Sequence, residues 1–499
     1  MSQHPDLATW RARAASLAFQ TQAVIGGRSV DAASGQTFDN INPGNGQLLC
    51  RVAAGDAADI DAAVASARAA FDKGSWSRMP PAKRKRVLQH FAELLLKHRD
   101  ELALLETLDV GKPIRDSLAV DVGSSARCIQ WYGEAVDKIY DEVAPTGHDS
   151  LATITREPMG VVGAIVPWNF PLLMASWKIG PVLAAGNSLV LKPSEKSPLT
   201  AIRAAQLALE AGIPEGVFNV VPGYGHTAGK ALASHMDVDA IAFTGSTATG
   251  KLVMQFAAQS NMKRVSLECG GKSPNIVMAD WDDLDKAVTA AAYAIFFNQG
   301  EMCSAGSRLI VHESLRDAIL ERVQAIGQKM KPGEPLDPAT KLGAIVDEVQ
   351  MQRVLGYIES GRAEGAQVYM GGRRMREESG GYFVEPTIFA QAQPSMKIAR
   401  EEIFGPVLTT ITFKTPEEAV RIANGVEYGL AAAVWTRDVR TAHRVAKQLR
   451  AGTVYINCYD ADDITVPFGG FKQSGIGRDK SLHAFDKYTE LKTTWLDLS

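Results

Sequence analysis

The chain has 499 residues, which is too long for a single hydrophobic core, so two or three domains are expected. Its hydrophobic fraction of 46% and its charged fraction of 22% are those of an ordinary globular protein. The formal net charge of −3 gives no electrostatic reason to expect nucleic acid or an anionic membrane as a partner, and no run approaches the ~18 apolar residues of a membrane span.

The N-terminal segment, MSQHPDLATWRARAASLAFQTQ, has no apolar stretch long enough for a secretory signal. The spacing of Leu7, Trp10 and Ala14 favours a surface helix over an organelle presequence. Cysteines stand at positions 50, 128, 269, 303 and 458, where no pair has metal-ligand spacing and the odd count argues against a complete disulfide framework. We therefore expect a cytoplasmic protein without a metal site.

Helical periodicity dominates the next part of the chain. The stretches DIDAAVASARAAFDKG and PAKRKRVLQHFAELLLKHRDELALLETL repeat apolar residues at intervals of three and four, with charges between them. This spacing predicts helices with one buried face. The polar segment that follows, YDEVAPTGHDSLATITREPMG, predicts a projecting hairpin with a strand edge that pairs with another subunit.

From about residue 161, short apolar runs alternate with helical segments. The runs VVGAIVPW, NSLVLKPS, GVFNVVPG, AIAFTGS and RVSLECGG predict a parallel sheet covered by helices. After Gly271, a second alternating set extends from PNIVMAD through LTTITF to GTVYIN. It predicts a second α/β domain.

Three turns after predicted strands are candidates for binding a nucleotide. GYGHTA (223–228) has the G-x-G-x-x-G/A form of a dinucleotide-binding turn. GSTATGKL (245–252) nearly matches a nucleotide-triphosphate loop, but Leu252 stands where Mg²⁺ requires Ser or Thr, so a P-loop NTPase is a poor alternative. In LVLKPSE, Lys192 and Glu195 end a strand at the carboxyl edge of the sheet, where the acid can bind a ribose and repel a 2′-phosphate. The alternative interpretation is that Lys192 and Glu195 are a solvated pair in a turn and bind no ligand.

The stretch FFNQGEMCSAGSRL contains Cys303 among glycines, small residues and polar side chains. Free cysteines are usually buried and inert. Cys303 by itself is therefore compatible with two roles, that of a small core residue and that of a nucleophile. The flexible surroundings allow the backbone to approach a ligand closely and leave room for a carbonyl group.

Together, these motifs resemble the aldehyde dehydrogenase superfamily over nearly the whole chain. VPWNFP, LKPSE, FTGSTATG, LECGGKSPN, NQGEMCSAGSRL, EEIFGPV and PFGGFKQSGIGRD occur in the order and spacing of that family. Within it, LATW and DKSLHAFDKYTELKTTW resemble the bacterial dehydrogenases of γ-glutamyl-γ-aminobutyraldehyde and 4-guanidinobutyraldehyde. The resemblance implies an α/β fold with a Rossmann-like NAD-binding domain (1–139 and 160–270), a second α/β catalytic domain (271–478) and small β oligomerisation segments (140–159 and 479–499).

The resemblance also implies NAD-dependent oxidation of an aldehyde to its acid. Cys303 takes the position of the nucleophile that forms a thiohemiacetal and a thioester, Asn169 that of the oxyanion-hole amide, and Glu268 that of the general base. Singly, each has a simpler explanation in turn chemistry, solvation or core packing. The cofactor-binding positions implied are Trp168, Lys192, Glu195, Gly225, Gly245, Ser246, Glu402 and Phe404. Glu268 argues against a CoA-acylating relative, and the complete Cys–Glu–Asn set argues against a non-catalytic one.

For the substrate, the resemblance implies an aromatic tunnel of Phe170, Trp177 and Phe468, which suits an alkyl chain or, by cation–π attraction, a cationic end group. We interpret four carboxylates as an acidic rim that attracts the cation of an ω-amino or ω-guanidino aldehyde, with solvated surface residues as the alternative. These are Asp109, Asp460, Asp462 and Asp463. The sequence does not rank a γ-glutamylated aldehyde against the amino and guanidino aldehydes. The alternative function is that of a broad-specificity dehydrogenase of aliphatic or aromatic aldehydes.

Two positions depart from the pattern of many relatives. Cys269 follows the predicted base at a position where leucine is common. Asp479 stands where many relatives have glutamate, so this candidate for proton relay keeps a carboxylate on a shorter side chain. The hairpin and the tail FDKYTELKTTWLDLS have no place in either α/β domain, and relatives use such segments to pair subunits. The resemblance therefore implies a homotetramer built from dimers.

Overall fold

The computed structural model describes residues 5–499, in which two large β-sheets are each covered by helices. The strands of the first sheet lie in the order Arg28–Val30, Ala23–Ile25, Phe218–Val220, Ser188–Lys192, Val161–Ile165, Ala240–Thr244, Arg264–Glu268 and Gly475–Ile476. The strands from Phe218–Val220 to Arg264–Glu268 run parallel, and antiparallel pairs close both edges. The predicted first sheet is present, and Gly475–Ile476 joins it although the sequence placed this strand within 271–478.

The second sheet contains the strands Gln367–Met370, Thr387–Ala390, Val407–Phe413, Arg308–His312, Pro274–Val277, Ala431–Trp435 and Thr453–Ile456, in that order. All of its pairs are parallel except that of Gln367–Met370 at the edge. The central strands are buried on both faces, as expected where helices cover a parallel sheet. Short antiparallel pairs are Thr37–Ile41 with Leu48–Ala53, Arg374–Met375 with Phe383–Val384, and Tyr428–Gly429 with Phe471–Lys472.

The α-helices are Leu7–Ala15, Ala57–Lys73, Pro81–Lys97, Arg99–Val110, Ile114–Asp116, Gly123–Ala135, Pro171–Ala185, Leu199–Glu210, Lys230–Ser234, Thr247–Gln259, Leu284–Phe296, Arg316–Gly327, Glu348–Ala363, Lys397–Arg400, Pro416–Asn424 and Val439–Gln448. The 3₁₀ turns are Phe297–Gly300, Glu313–Leu315, Glu377–Ser379 and Leu482–Lys487, and the π turns are Ser117–Val122 and Gly225–Gly229. Within residues 5–499, no helix is both long and apolar enough to cross a membrane.

Local sequence explains where these helices begin and end. Ala57–Lys73 begins at Asp56, which forms a capping box with Asp59, and it ends at Gly74, where φ is 78°. The stretch predicted as one long helix forms two, because His98 leaves helical geometry at φ −97° and ψ 22°. Apolar periodicity continues through this single residue, so the sequence pattern did not indicate the break.

The predicted hairpin and the C-terminal tail form one small sheet. Thr489–Asp497 pairs antiparallel with Ser150–Pro158 along its whole length, and Ser150–Pro158 also pairs with Glu142–Ala144. Large apolar side chains on this sheet are exposed, among them Leu491 at 60% and Trp495 at 64%. Such residues on a sheet that projects from the body are typical of an interaction surface.

Candidate active site

The predicted site residues gather at the carboxyl edge of the first sheet. Five adjacent parallel strands each have one of these residues at or soon after the carboxyl end. In the spatial order of the strands, the residues are Gly225, Lys192, Trp168, Gly245 and Glu268. Open α/β sheets bind ligands at this edge, because the connections to the covering helices diverge there. Residues that are far apart in the sequence are thereby placed along one line.

Within residues 5–499, two cavities meet at this edge. The first has a volume of about 380 Å³, and we call it the Asp460 cavity; the second has a volume of about 320 Å³, and we call it the Ser246 cavity. The residues that line both are Asn169, Met174, Trp177, Cys303 and Phe468. Cys303 therefore stands at the junction, where ligands in the two cavities can both reach it.

The loop before Cys303 is held in a strained conformation. In the turn Phe297–Gly300, Asn298 and Gln299 have positive φ values of 47° and 56°. Glu301 is buried, and its carboxylate accepts a hydrogen bond from the backbone N–H of Val346 at 3.2 Å. Non-glycine residues keep such geometry only where their surroundings impose it, and they cluster at functional sites. The polar neighbours of Cys303 are evident in the sequence, but their role in supporting the loop is not.

Hydrogen bonds orient the amide of Asn169 beside this loop. Asn169 Nδ2 donates to the carbonyl oxygen of Glu301 at 2.8 Å, and Asn298 Nδ2 donates to the carbonyl oxygen of Asn169 at 3.1 Å. A primary amide has two N–H donors, so one is left for a ligand. Asn169 is thus positioned to donate to an oxygen atom near Cys303.

Glu268 ends the strand Arg264–Glu268 and lines the Ser246 cavity. It is 5% exposed, and neither carboxylate oxygen has a hydrogen-bond partner among residues 5–499. Burial raises the pKa of Glu268 well above its usual range, and the charge of Asp479 adds to this shift, while Lys178 and Lys487 oppose it. A buried carboxyl group without a partner is costly, and it is typical of a group that must exchange a proton.

Burial also raises the pKa of the Cys303 thiol, and the carboxylates of Glu402, Asp460 and Glu268 raise it further. The thiol is therefore mainly protonated at neutral pH. Only the thiolate is a good nucleophile, so a nucleophilic role for Cys303 would require a proton acceptor in the same cavity. Glu268 is suitably placed, since it shares the Ser246 cavity with Cys303.

The carboxylate of Asp479 is held between two lysines. Lys178 Nζ contacts its Oδ2 and Lys487 Nζ contacts its Oδ1, and all three side chains are buried. Burial by itself would raise the pKa of Asp479, but the two ammonium groups lower it overall. Asp479 therefore stays ionised, which favours a structural role behind Glu268 over proton relay.

The Ser246 cavity has the features of a dinucleotide site. Trp168, Gly245, Ser246, Glu402 and Phe404 line it. Ser246 is the N-cap of the helix Thr247–Gln259, whose N-terminal N–H groups favour a phosphate, and the buried Thr244 hydroxyl beside it has no partner among residues 5–499. These groups fit the phosphates and ribose of NAD⁺.

The carboxylate of Glu402 accepts a hydrogen bond from the N–H of Gly271 at 3.1 Å, and burial raises the pKa of Glu402 to about 7. A Cβ atom on Gly270 would collide with this carboxylate, so a side chain at 270 would displace Glu402 from its present position. Phe404, with φ 59°, packs edge-on against Trp168 at a centroid distance of 5.3 Å. Glu402 and Phe404 are therefore held at one wall of the Ser246 cavity.

Three predicted cofactor residues, Lys192, Glu195 and Gly225, line neither cavity. Lys192 Nζ lies 3.1 Å from Glu195 Oε2, and Gly225 begins the turn Gly225–Gly229 farther along the same sheet edge. They can contact only a ligand that extends along the edge beyond the cavity, as a dinucleotide does.

The predicted aromatic residues Phe170, Trp177 and Phe468 all line the Asp460 cavity. Each ring already has a lysine ammonium over it. Lys112 Nζ lies 3.7 Å from the centroid of Phe170, and Lys480 Nζ lies 5.5 Å from that of Trp177 and 5.9 Å from that of Phe468. Neither lysine is adjacent to its aromatic partner in the sequence, so no local motif indicated these contacts.

The predicted acidic rim is largely neutralised. Asp462 forms an ion pair with Lys480, and Asp463 Oδ2 lies 3.4 Å from Arg127 Nη2. Asp460 accepts a hydrogen bond from the Ser304 hydroxyl at 3.0 Å and has no ion-pair partner among residues 5–499. All three line the cavity, but Asp460 is the rim carboxylate whose charge stays unbalanced.

Asp109 is not part of the rim, and the prediction of a position at the tunnel mouth is wrong. Its carboxylate is buried, accepting hydrogen bonds from Asn40 Nδ2 at 2.9 Å and from the N–H of Leu199 at 3.1 Å. Burial raises the pKa of Asp109 to about 8. The side chain joins the helices Arg99–Val110 and Leu199–Glu210, and a carboxyl group that is mostly protonated attracts no substrate cation.

Fold and site together define an α/β oxidoreductase with a thiol at the junction of a dinucleotide site and a substrate cavity. Residues 30–494 match the aldehyde dehydrogenase family, and the chain belongs to that family. The predicted family, fold class and enzyme class are confirmed. Among residues 5–499, no group of three or more His, Cys, Asp or Glu side chains is arranged to hold a metal ion.

Three relatives illustrate the match. The NADP/NAD-dependent aldehyde dehydrogenase PuuC of Escherichia coli (strain K12) is 53% identical over 99% of both chains. The γ-glutamyl-γ-aminobutyraldehyde dehydrogenase of Burkholderia cenocepacia J2315 is 60% identical, with a TM-score of 0.98 over 99% of this chain and 100% of that one. A mutant of the P. syringae indole-3-acetaldehyde dehydrogenase AldA, solved with NAD⁺ and IAA, is 61% identical, with the same TM-score of 0.98 and the same coverage of 99% and 100%.

Proposed function

We propose that this protein oxidises an aldehyde to its carboxylic acid with NAD⁺ through a covalent intermediate on Cys303. The observation that carries the proposal is the junction of the two cavities, where Cys303 and Asn169 face both and Glu268 stands without a partner on one of them. Family membership and the NAD⁺ complex of the P. syringae relative support it.

In the proposed reaction, Glu268 accepts the thiol proton and the sulfur of Cys303 bonds to the aldehyde carbon. The free N–H of Asn169 donates to the resulting alkoxide, which is stabilised because the site is buried. NAD⁺ bound in the Ser246 cavity supplies the hydride acceptor, and a thioester remains on Cys303. Glu268 then releases the thiol proton to solvent, accepts a proton from the water that attacks the thioester, and the acid and the thiolate are released.

For the cofactor, we propose that Gly245 and Ser246 hold the pyrophosphate while Glu402 binds the nicotinamide ribose beside Phe404 and Trp168. Lys192 and Glu195 would bind the adenosine ribose, with Gly225 near the adenine. The Lys192–Glu195 pair supports NAD⁺ over NADP⁺, because a carboxylate at the ribose repels a 2′-phosphate.

The test is NADH formation from 4-aminobutyraldehyde with and without CoA. We expect turnover without CoA, because Glu268 activates water, and a kcat/KM for NAD⁺ about tenfold or more above that for NADP⁺, which corresponds to ~1.4 kcal/mol of charge repulsion. Dependence on CoA would indicate an acylating enzyme. An absence of turnover with every aldehyde would indicate a non-catalytic relative, and a preference for NADP⁺ would refute the role of Glu195.

For the substrate, we propose ω-amino, ω-guanidino or γ-glutamylamino aldehydes of polyamine or arginine breakdown. The name of the Burkholderia relative supports this class. So does the charge of the Asp460 cavity: after the Lys480–Asp462 and Arg127–Asp463 pairs are counted, Asp460 leaves one net negative charge at the rim.

Asp460→Asn should reduce the advantage of 4-aminobutyraldehyde over butanal, measured as the ratio of kcat/KM values, by about fivefold. One partly exposed charge pair contributes up to about 1 kcal/mol, which sets this size. Asp72→Asn, an exposed aspartate outside both cavities, is the matched control and should leave the ratio at the wild-type value. An unchanged ratio in Asp460→Asn would show that the rim is only solvated surface.

The P. syringae relative favours a second candidate, a broad dehydrogenase of aliphatic or aromatic aldehydes, because its name specifies an uncharged aromatic aldehyde. Phe170, Trp177 and Phe468 could pack against such a ring. Adding phenylacetaldehyde to the same comparison separates the two candidates. A higher kcat/KM for it than for 4-aminobutyraldehyde, insensitive to Asp460→Asn, would favour the aromatic class.

We further propose a cytoplasmic homotetramer with the domain boundaries predicted from the sequence, except that the strand Gly475–Ile476 belongs to the NAD-binding domain. The free cysteines support a reducing compartment, and the exposed apolar residues of the small sheet support assembly. Light scattering should give about four times the mass of one chain, and Trp495→Asp with Leu491→Asp should reduce it, because both place charge on the contact face. A stable wild-type monomer would contradict the proposal.

A further inference from the structure

The wall of the Asp460 cavity contains a lysine that the proposed reaction does not use. Lys480 lines the cavity, its side chain is 2% exposed, and its ammonium group forms an ion pair with Asp462. That ammonium group lies 5.5 Å from the ring centroid of Trp177 and 5.9 Å from that of Phe468. A cation of the protein itself therefore occupies the place where the aromatic wall would attract the cation of a substrate.

The backbone fixes this lysine beside the cavity. Lys480 and Ser481 have positive φ values of 62° and 51°, a region that favours glycine. On one side, Asp479 and Phe468 exchange two backbone hydrogen bonds of 2.7 and 2.8 Å; on the other, the N–H of Ser481 donates to the carbonyl oxygen of Ile464 at 2.8 Å. Strained residues persist where their surroundings over-determine them, and here these backbone hydrogen bonds hold Lys480 at the wall.

The ion pair leaves the ammonium group available for exchange. The side chain of Asp462 is 63% exposed, so water competes with Lys480 for its carboxylate. A carboxylate that enters the cavity on a substrate can replace Asp462 at the ammonium group and form the same charge-assisted hydrogen bonds. The guanidinium group of Arg127, which also lines the cavity, adds to the attraction for an anion.

We propose that Lys480 is a specificity-determining residue that recognises a carboxylate at the far end of the aldehyde. The inference rests on the proposed aldehyde oxidation and adds a second charge requirement to it. Asp460 attracts a cation, whereas Lys480 attracts an anion and repels a lone ammonium group brought to the same aromatic wall. An aldehyde that ends in a carboxylate, either a half-aldehyde of a dicarboxylic acid or an amino-acid amide, satisfies Lys480.

The test compares kcat/KM for aldehydes with and without a terminal carboxylate. The carboxylate substrates are 5-oxopentanoate and γ-glutamyl-4-aminobutyraldehyde, and the neutral reference is pentanal. We expect Lys480→Met to lower the ratio of carboxylate to neutral substrate about tenfold, the size of one lost charge-assisted contact. Asp462→Asn should raise the same ratio by about threefold, because it frees the ammonium group. Lys97→Met, an exposed lysine outside both cavities, is the control and should leave the ratio at the wild-type value.

The opposite signs expected for Lys480→Met and Asp462→Asn exclude a general loss of activity as the explanation. Asp460→Asn removes a rim charge without freeing Lys480 and should raise the ratio less than Asp462→Asn, so the comparison of these two variants decides the question even if Lys480→Met fails to fold. A ratio that stays constant, or falls in both variants, overturns the role of Lys480. If the ratio changes for only one of the two carboxylate substrates, that substrate identifies the kind of carboxylate that Lys480 binds. If wild-type protein fails to oxidise pentanal and every other aldehyde, the proposed function itself is wrong.

Discussion

Cys303→Ala should abolish NADH formation with every aldehyde while NAD⁺ still binds. In the proposed reaction, the thiol supplies the bond to the aldehyde carbon. The other side chains at the junction, those of Asn169, Met174, Trp177 and Phe468, cannot replace a thiolate in this role. Removing such a nucleophile lowers kcat by about a thousandfold or more. Binding of NAD⁺ should persist, because the predicted cofactor contacts lie on other residues.

Steady-state NADH formation and NAD⁺ titration by fluorescence measure the two effects of Cys303→Ala. Cys50→Ala is the matched control, since this partly buried thiol lines neither cavity. In the wild type, alkylation of Cys303 should accelerate as the pH rises, because burial and the carboxylates of Glu402 and Asp460 raise the pKa of the thiol. Turnover near the wild-type rate in Cys303→Ala would refute the assignment.

Glu268→Gln should give a burst of about one NADH per active site, slower than in the wild type because the thiol proton must then go to water, and the enzyme should then stall. Hydride transfer leaves a thioester on Cys303, and without a base its hydrolysis slows by about a hundredfold or more. The amide keeps the size of the buried side chain, so loss of packing does not explain the effect. Stopped-flow absorbance measures the burst, and mass spectrometry identifies the acylated chain.

The pH dependence provides a second test of Glu268. Its pKa is raised, mainly by burial, so the base form is lost as the pH falls through that raised value. Deacylation in the wild type should therefore become faster as the pH increases, and Glu268→Gln should remove this dependence. Continued turnover of Glu268→Gln with a wild-type pH profile would exclude Glu268 as the base.

The sequence by itself determined the family and the alternating α/β organisation, and it predicted the central residues of the site. Apolar runs of strand length alternate with helical periodicity, and this local signal does not depend on distant contacts. Ordered motifs then identified Cys303, Asn169 and Glu268, and the structure places the first two at one junction and the third on a cavity they share. These predictions were possible because each residue lies in a short motif that can be recognised from the residues next to it in the sequence.

Only the tertiary structure decided how the charges of the substrate cavity balance. Whether a carboxylate attracts a cation depends on burial and on partners from distant segments, and neither is visible in a local motif. Asp109 lies in a conspicuous motif, yet it is buried against Asn40 and Leu199. Lys480 stands next to a residue that had been singled out, yet only the fold brings its ammonium group over Trp177 and Phe468 and pairs it with Asp462.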